Sequence, residues 1–586
     1  MIGCSGKDGT GAPGSGGVVV DPAALGVSSW EIAGLPVANA FLERLGVAPL
    51  IAGYLPLTSR QRRSAVTGTL GVLIRALVLG RQPLYGLGEW ASRFDPRHLG
   101  LAPGETLSDD RVGRALDVLY EADRASLTTA VSLAAVERFG IALDELHNDS
   151  TSIRLYGAYR PSGAGSPDPG RLTPARGHSK DHRPDLKQLV WILTVSADGV
   201  VPVTYRLANG NTIDDTTHIA TWETCRRLAG RADFLYVADC KLASKKNMTH
   251  IHGAGGRFVT VMPRSRKEDG TGRAWLGTGD HAWEEVARRP GRTRSDPPDV
   301  WWMLPAPDRS AEGFRIVWLR SSTKARTASE ARAKAIKKAT AAVVHLSGCI
   351  GLRGHKLTNR EQIQTAADAA IAKAGASRWV QAVVTEEQIP EHKKVSPGRP
   401  GPNTRYEDVV RSVWSVNPRI DQATADADAG SDGCFPLITN DEQMSLAALY
   451  AAYKAQPHIE KRHALLKGVL EAAPMELKSE TRIDAFGFCL YIALLVHALI
   501  ERELRRNMAA AGVAQLPLYH EARACRAPTA MRVLEILQPL ARTVITHHAR
   551  TLTAIEPHLD GLQLTLLELL GVAPATYRQN AGHEID

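Results

Sequence analysis

The sequence predicts an α/β protein in which a mixed sheet core carries helical regions at both ends and a long insertion. Three observations predict it. Apolar residues recur at three- and four-residue spacing through roughly residues 40–140. Short apolar, strand-like runs alternate with helical stretches from residue 141 to 263. After a basic, Pro/Gly-rich interruption, one further strand leads into helices that continue to the C-terminus.

In chain order, residues 1–28 open with "MIGCSGKDGTGAPGSGGVVV", rich in Gly and Ser, and read as a leader without fixed structure. They lack the charged start and apolar middle of a signal peptide. Residues 29–140 read as a helical region. Ser108 precedes Asp109 and Asp110 at a helix start, and "LTSRQRRS" sets Arg60, Arg62 and Arg63 beside another. From Ile141 the texture changes. "IALDELHNDSTSI" reads as a strand ending in a polar turn, and "DLKQLVWILTVSADGVVPVTYRLANG" as a hairpin turning at Asp198-Gly199. "HIATWETCRRLAG" reads as a helix, "DFLYVADC" as a strand, "SKKNMTHIHGAGG" as a helix and "RFVTVMP" as a strand. The order β-β-β-α-β-α-β predicts a mixed sheet with an antiparallel opening, over 141–263. Residues 264–433 read as an inserted, partly β subdomain. The core resumes over 434–510, and 511–586 read as helical.

The length of 586 residues allows three or four domains of about 150 residues each. A net charge of +9, from 71 Lys+Arg against 62 Asp+Glu, favours polyanionic partners over basic ones. The seven cysteines are odd in number and none has CxxC spacing, which argues against a disulfide framework and a structural zinc site and fits a reducing, intracellular setting. The longest apolar run, 485–500, is 16 residues and contains His497. A bilayer needs about 20, so this run reads as a buried core helix and no membrane contact is expected.

Three acids stand out by position. Asp149 lies in "LHNDSTSI", at the end of the first sheet strand; Asp239 follows the fourth in "LYVADCK"; Glu460 lies in a helix after the last strand. Carboxyl ends of strands are where open α/β sheets keep their sites. Three converging carboxylates repel unless a cation neutralises them, and an oxygen-only donor set suits Mg²⁺ or Mn²⁺. Any one Asp after a strand is more often a turn or cap residue. Asp144, Asp233, Asp214 and Asp215 are nearby alternatives, read as solvated or capping. Tyr453, Glu460 and Lys467 are spaced by seven and share a helical stripe, with Gln456 one turn before Glu460; Pro457 places a helix start or kink within it.

With these residues in hand the chain resembles the DDE transposases of bacterial insertion sequences, in the branch with a Tyr-x2-Arg-x3-Glu-x6-Lys signature. Tyr453, Gln456, Glu460 and Lys467 meet the spacing, Asp149 in "NDSTS" matches the first acid and Asp239 in "VADCKLAS" the second. "GHSKDHRPDLKQLVWIL", "LANGNTIDDTTH" and "FPLITND" are also similar, so the likeness runs from about residue 30 onward. Gln456 departs from the pattern: it stands where the family has arginine, losing the charge and the bidentate fork. The resemblance implies an RNase H-like core with a mostly β insertion. It implies that Asp149, Asp239 and Glu460 are catalytic and hold two Mg²⁺ ions, with Mn²⁺ as a substitute. It further implies a bacterial, nucleoid-associated cytoplasmic enzyme. The helical N-terminal region would bind terminal inverted repeats, and a dimer would bridge two transposon ends in the DNA complex.

Tyr453, Gln456 and Lys467 are expected to contact DNA near the cut. Lys180, His182, Arg183 and Lys187 in "GHSKDHRPDLK" are expected to clamp the backbone; the alternative is an ordinary charged loop. Arg399 in "SPGRPGPN" fits an A·T-rich minor groove, and a linker is the competing reading. The charged stretch "KARTASEARAKAIKKAT" reads as a solvated helix face. Two other functions share the features: a metal-dependent nuclease that cuts without strand transfer, and a non-catalytic DNA-binding derivative.

Overall fold

The computed structural model describes residues 25–578 apart from 81–83, 102–104, 158, 160–170, 178–179, 181–182, 292, 294, 353–356, 471–476 and 549. These residues form two compact units, one running to Phe234 and resuming at Gln456, the other Leu235–Ala455.

The first unit opens with β1 (Leu25–Glu31) and seven helices: α1 (Leu35–Leu45), α2 (Val47–Tyr54), α3 (Arg60–Leu79), α4 (Leu87–Ser92), α5 (Pro96–Leu99), α6 (Asp109–Glu121) and α7 (Arg124–Phe139). Side-chain caps set several starts: Ser59 accepts from the Arg62 N–H and Ser108 from the Arg111 N–H. Next come β2 (Glu145–Leu155), β3 (Lys187–Ser196), β4 (Pro202–Ala208) and α8 (His218–Ala229). The strands run in the order β4-β3-β2, each antiparallel to its neighbour. The β3–β4 connection turns at Asp198-Gly199 as expected, where Gly199 takes φ +78°.

The second unit comprises β5 (Leu235–Ala238), α9 (Lys245–Gly253), β6 (Arg257–Val261), α10 (Lys267–Leu276), β7 (Glu284–Arg289), β8 (Asp299–Pro305), β9 (Arg315–Ser321), α11 (Ser322–Cys349), α12 (Arg360–Ala374), β10 (Val380–Lys394), β11 (Tyr406–Ile420), α13 (Gln422–Gly430), β12 (Cys434–Thr439) and α14 (Leu446–Ala455). Its sheet strands are ordered β5-β6-β12-β9-β8-β7. β5 and β6 are parallel and the others antiparallel, so the sheet is mixed.

The first unit is completed by α15 (Pro457–Gly468), α16 (Glu480–Ala510), α17 (Ala530–Leu537), β13 (Ala541–His547), β14 (Arg550–Ile555) and α18 (Gly561–Leu570). Helix α16 contains the long apolar run. By length and composition it is able to span a bilayer, but its apolar window is 94% buried within the protein. A helix apolar on all sides belongs in a core. Here Tyr491 hydrogen-bonds Ser132 at 2.8 Å and stacks on Tyr205 at 4.8 Å, which in turn stacks on Trp191 at 4.7 Å.

Four expectations differ from the structure. Leu25–Glu31 is a strand paired with β13, not leader or helix: a partner some 510 residues away decides its conformation. The C-terminal region carries the β13–β14 hairpin beside its helices. Strands β7, β8 and β9 continue the second unit's sheet through β12, whereas the stretch had read as a separate subdomain. The charged "EEVARR" of β7 suits a sheet edge, which hides its strand signal. The region is also not mostly β, since α11 and α12 span 28 and 15 residues. α11 buries only Ala339 and Val343, in keeping with a solvated charged helix.

His497 is fully buried in α16, its Nε2 2.9 Å from the Val78 carbonyl. Burial pushes its pKa down to about 4 from an ordinary 6.5. Folding therefore favours the neutral ring. This contribution is complete above pH 6.5 and is lost as pH falls toward 4, costing about 2 kcal/mol by pH 5. In denaturant unfolding at pH 7 and pH 5, His497→Gln is expected to shrink the acid loss by about that amount; an unchanged slope would rule the assignment out.

Candidate active site

Asp149 is the fifth residue of β2, opposite Leu193 on β3. This corrects the expectation that it ends the strand: β2 continues to Leu155 because "STSIRL" has the polarity of a turn but pairs residue for residue with β3. The half-buried carboxylate has two basic side chains beside it. Lys180 Nζ lies 3.5 Å from Oδ1, and His463 Nδ1 of α15 lies 3.5 Å from Oδ2. Burial alone raises the carboxyl pKa, but the His463 hydrogen bond and the Lys180 charge outweigh it and hold Asp149 below its ordinary value.

Lys180 also approaches Asp214 Oδ2 at 3.5 Å and Ser150 Oγ at 3.0 Å. It thus stands as an ammonium between two carboxylates. Asp214, read from sequence as solvated or capping, belongs to this cluster. Beside it the buried His218 is pushed down to about 4 by desolvation, against the raising effect of Asp214, Asp215 and Asp149. The adjacent "DD" was the available signal. Asp144 and Asp233 do sit at the surface, paired with Arg231.

Glu460 lies in the first turn of α15 and is exposed. Three contacts seat this helix. Gln456 donates from Nε2 to the Asn148 carbonyl at 2.9 Å and turns Oε1 to His147 Nδ1 at 3.0 Å, the two residues before Asp149. Arg462 is buried, pairs with Glu501 of α16 at 2.9 Å and donates to the Val200 and Gly199 carbonyls. His463 reaches Asp149. Neither Arg462 nor His463 was singled out from sequence, because "EKRH" in a helix reads as a solvated charge run.

Gln456, expected on DNA, instead spends both ends of its amide on β2. Gln456→Ala removes these contacts and leaves a partly buried carbonyl and imidazole; it is expected to cost about 2 kcal/mol in denaturant unfolding. A loss near zero would show that Gln456 does not fasten α15.

The sevenfold stripe is not one continuous helix. α14 ends at Ala455 and α15 begins at Pro457, with Pro at the first helical position. Lys467 is in the last turn of α15. Of the other expected DNA contacts, Arg183 pairs with Asp185 at 2.7 Å and Lys187 donates to the Tyr159 carbonyl at 2.7 Å. His182 lies outside the described residues.

In the second unit, β5 is buried along its length and Asp239 follows it directly, half-buried. Its Oδ1 accepts the Lys241 N–H at 3.0 Å and its carbonyl accepts from Thr260 at 2.7 Å. The carboxylate thus caps its own turn as well as standing at a strand end. Tyr453 of α14 packs its ring 5.3 Å from that of Phe435. Arg399 is exposed in the connection between β10 and β11, so "SPGRPGPN" is a hairpin tip and not a linker.

Lys180 marks where positive charge is accommodated beside Asp149. Among the described residues, no group of three or more His, Cys, Asp or Glu side chains forms a metal-binding cluster.

No family model and no curated protein matches the chain. Among solved structures it is similar to the piggyBac transposase in a synaptic complex with hairpin DNA. The match covers 86% of this chain and 79% of that one at 7% identity, with a TM-score of 0.38, a level that carries no argument about function.

Proposed function

We propose that the protein is a DDE-type transposase of an insertion sequence, which binds terminal inverted repeats and catalyses metal-dependent DNA cleavage and strand transfer. The observation that supports this reading most is the seating of α15. His463, one turn after Glu460, touches Asp149, and Gln456 fastens the same helix beside it, so two acids 311 positions apart in sequence are carried by adjoining elements.

On this reading Asp149, Asp239 and Glu460 would hold Mg²⁺, which when bound supplies charge stabilisation for attacking and leaving oxygens in phosphoryl transfer. The chain's own groups do the positioning. His463 and Lys180 orient the Asp149 carboxylate, and Lys180 would give up its contact with Asp149 if a cation were bound there. Lys467 neutralises phosphate charge near the cut. The net charge of +9 agrees with a polyanionic substrate.

The test is incubation of the full chain with its flanking DNA and a second duplex in Mg²⁺. Cleavage at the repeat followed by joining of the 3′ end is the expected result. Cleavage without joining favours the nuclease reading, and binding without either favours the non-catalytic one.

A further inference from the structure

Strands β10 and β11 form a ribbon paired from Val380↔Ile420 to Lys394↔Tyr406. At about 3.3 Å per residue its 15 pairs extend roughly 50 Å. Only the base is packed: Val380, Val384 and Val416 join Ala339, Val343 and Ile363 in one cluster. Beyond it, residues 385–393 and 406–413 are all exposed. The exposed residues include Ile389, Tyr406, Val409, Val410 and Val413, with Val410 at 61%. A two-stranded ribbon is marginal alone in water, and an open apolar edge is a template for pairing.

The two edges differ. β10 carries Pro390 followed by Lys393 and Lys394, features that block strand addition. β11 has no proline from 406 to 417 and is rich in Val.

We propose that the edge of β11 pairs antiparallel with β11 of a second copy of this chain, about a two-fold axis at Val409, making a four-stranded sheet from two ribbons. Such an axis sets side chains of the same face opposite one another. Centred on Val409, it places Glu407 opposite the partner copy's Arg411 twice, with Val409 against its symmetry mate. The charge pattern is self-complementary in this register. Within one ribbon Arg411 stands directly opposite Ile389 and Glu407 opposite Lys393, so the proposed axis would extend the row to Lys393, Glu407 and the second copy's Arg411. DNA along the shaft is disfavoured by Glu386, Glu387, Glu391, Glu407 and Asp408, while basic residues gather at the tip in Lys393, Lys394, Arg399 and Arg405. The surface is independent of the catalytic reading.

Sedimentation of the full chain without DNA tests it, with circular dichroism confirming the fold of each variant. The wild type is expected to dimerise. Arg411→Glu sets like charges opposite at two places across the axis and weakens the dimer about thirtyfold; Glu407→Arg does the same and also faces Lys393 within each ribbon. The double swap restores it. Val409→Cys forms a disulfide-linked dimer on oxidation, since paired positions across a ladder are within bridging distance. A monomeric wild type, an Arg411→Glu dimer as tight as wild type, or a double swap that fails to restore association overturns the proposal.

Discussion

Asp149→Ala is expected to lower Mg²⁺-dependent cleavage of the flanking DNA by about a thousandfold or more, because a bound metal contributes several kcal/mol to the transition state and each 1.4 kcal/mol is tenfold. The fold should survive. Asp149 is half-buried on a strand whose pairing with β3 is made by the backbone, and Lys180 retains Asp214 as a partner. Full-length purification with a single cooperative unfolding transition, its midpoint lowered only by the lost His463 and Lys180 contacts, together with lost cleavage, is the expected pair of results. Cleavage within tenfold of wild type contradicts the assignment. Lys180→Met separates the roles further. With the competing ammonium gone, Mn²⁺ is expected to bind at least as tightly as to wild type by calorimetry, while a loss of metal binding would contradict the view of Lys180 as a displaceable counter-ion.

Arg462→Met is expected to destabilise the first unit by about 3–5 kcal/mol. Arg462 and Glu501 are both buried, and Glu501 also accepts the Ala530 N–H at the start of α17. Removing the guanidinium strands a buried carboxylate and the Val200 and Gly199 carbonyls. The loss falls on the helix bearing Glu460, so activity should fall together with stability. Equilibrium denaturation measures the first and the DNA cleavage assay the second. A change under 1 kcal/mol would show that Glu501 finds its charge balance in Arg505, 3.5 Å away.

The sequence made legible what is local. Ser108 capping α6, Asp198-Gly199 turning β3 into β4, the apolar strand before Asp239 and the buried run of α16 are all short-range patterns, and each stands as read. What escaped depends on partners distant in sequence. β1 has a strand's conformation only because β13 pairs with it. "STSIRL" after Asp149 looks like a turn until β3 is placed beside it. Arg462, His463 and Asp214 look solvated until Glu501, Asp149 and Lys180 are brought to them. Gln456 illustrates the limit of spacing: spacing alone assigned it to DNA, and its side chain bonds Asn148 and His147 of β2.

The central claim is that Asp149, Asp239 and Glu460 act as one catalytic unit. Single-turnover cleavage by the three single alanine variants and the triple variant tests it most directly. Groups acting together are non-additive, so each single variant is expected to fall as far as the triple. Asp239→Ala that keeps cleaving DNA, while Asp149→Ala does not, would contradict it.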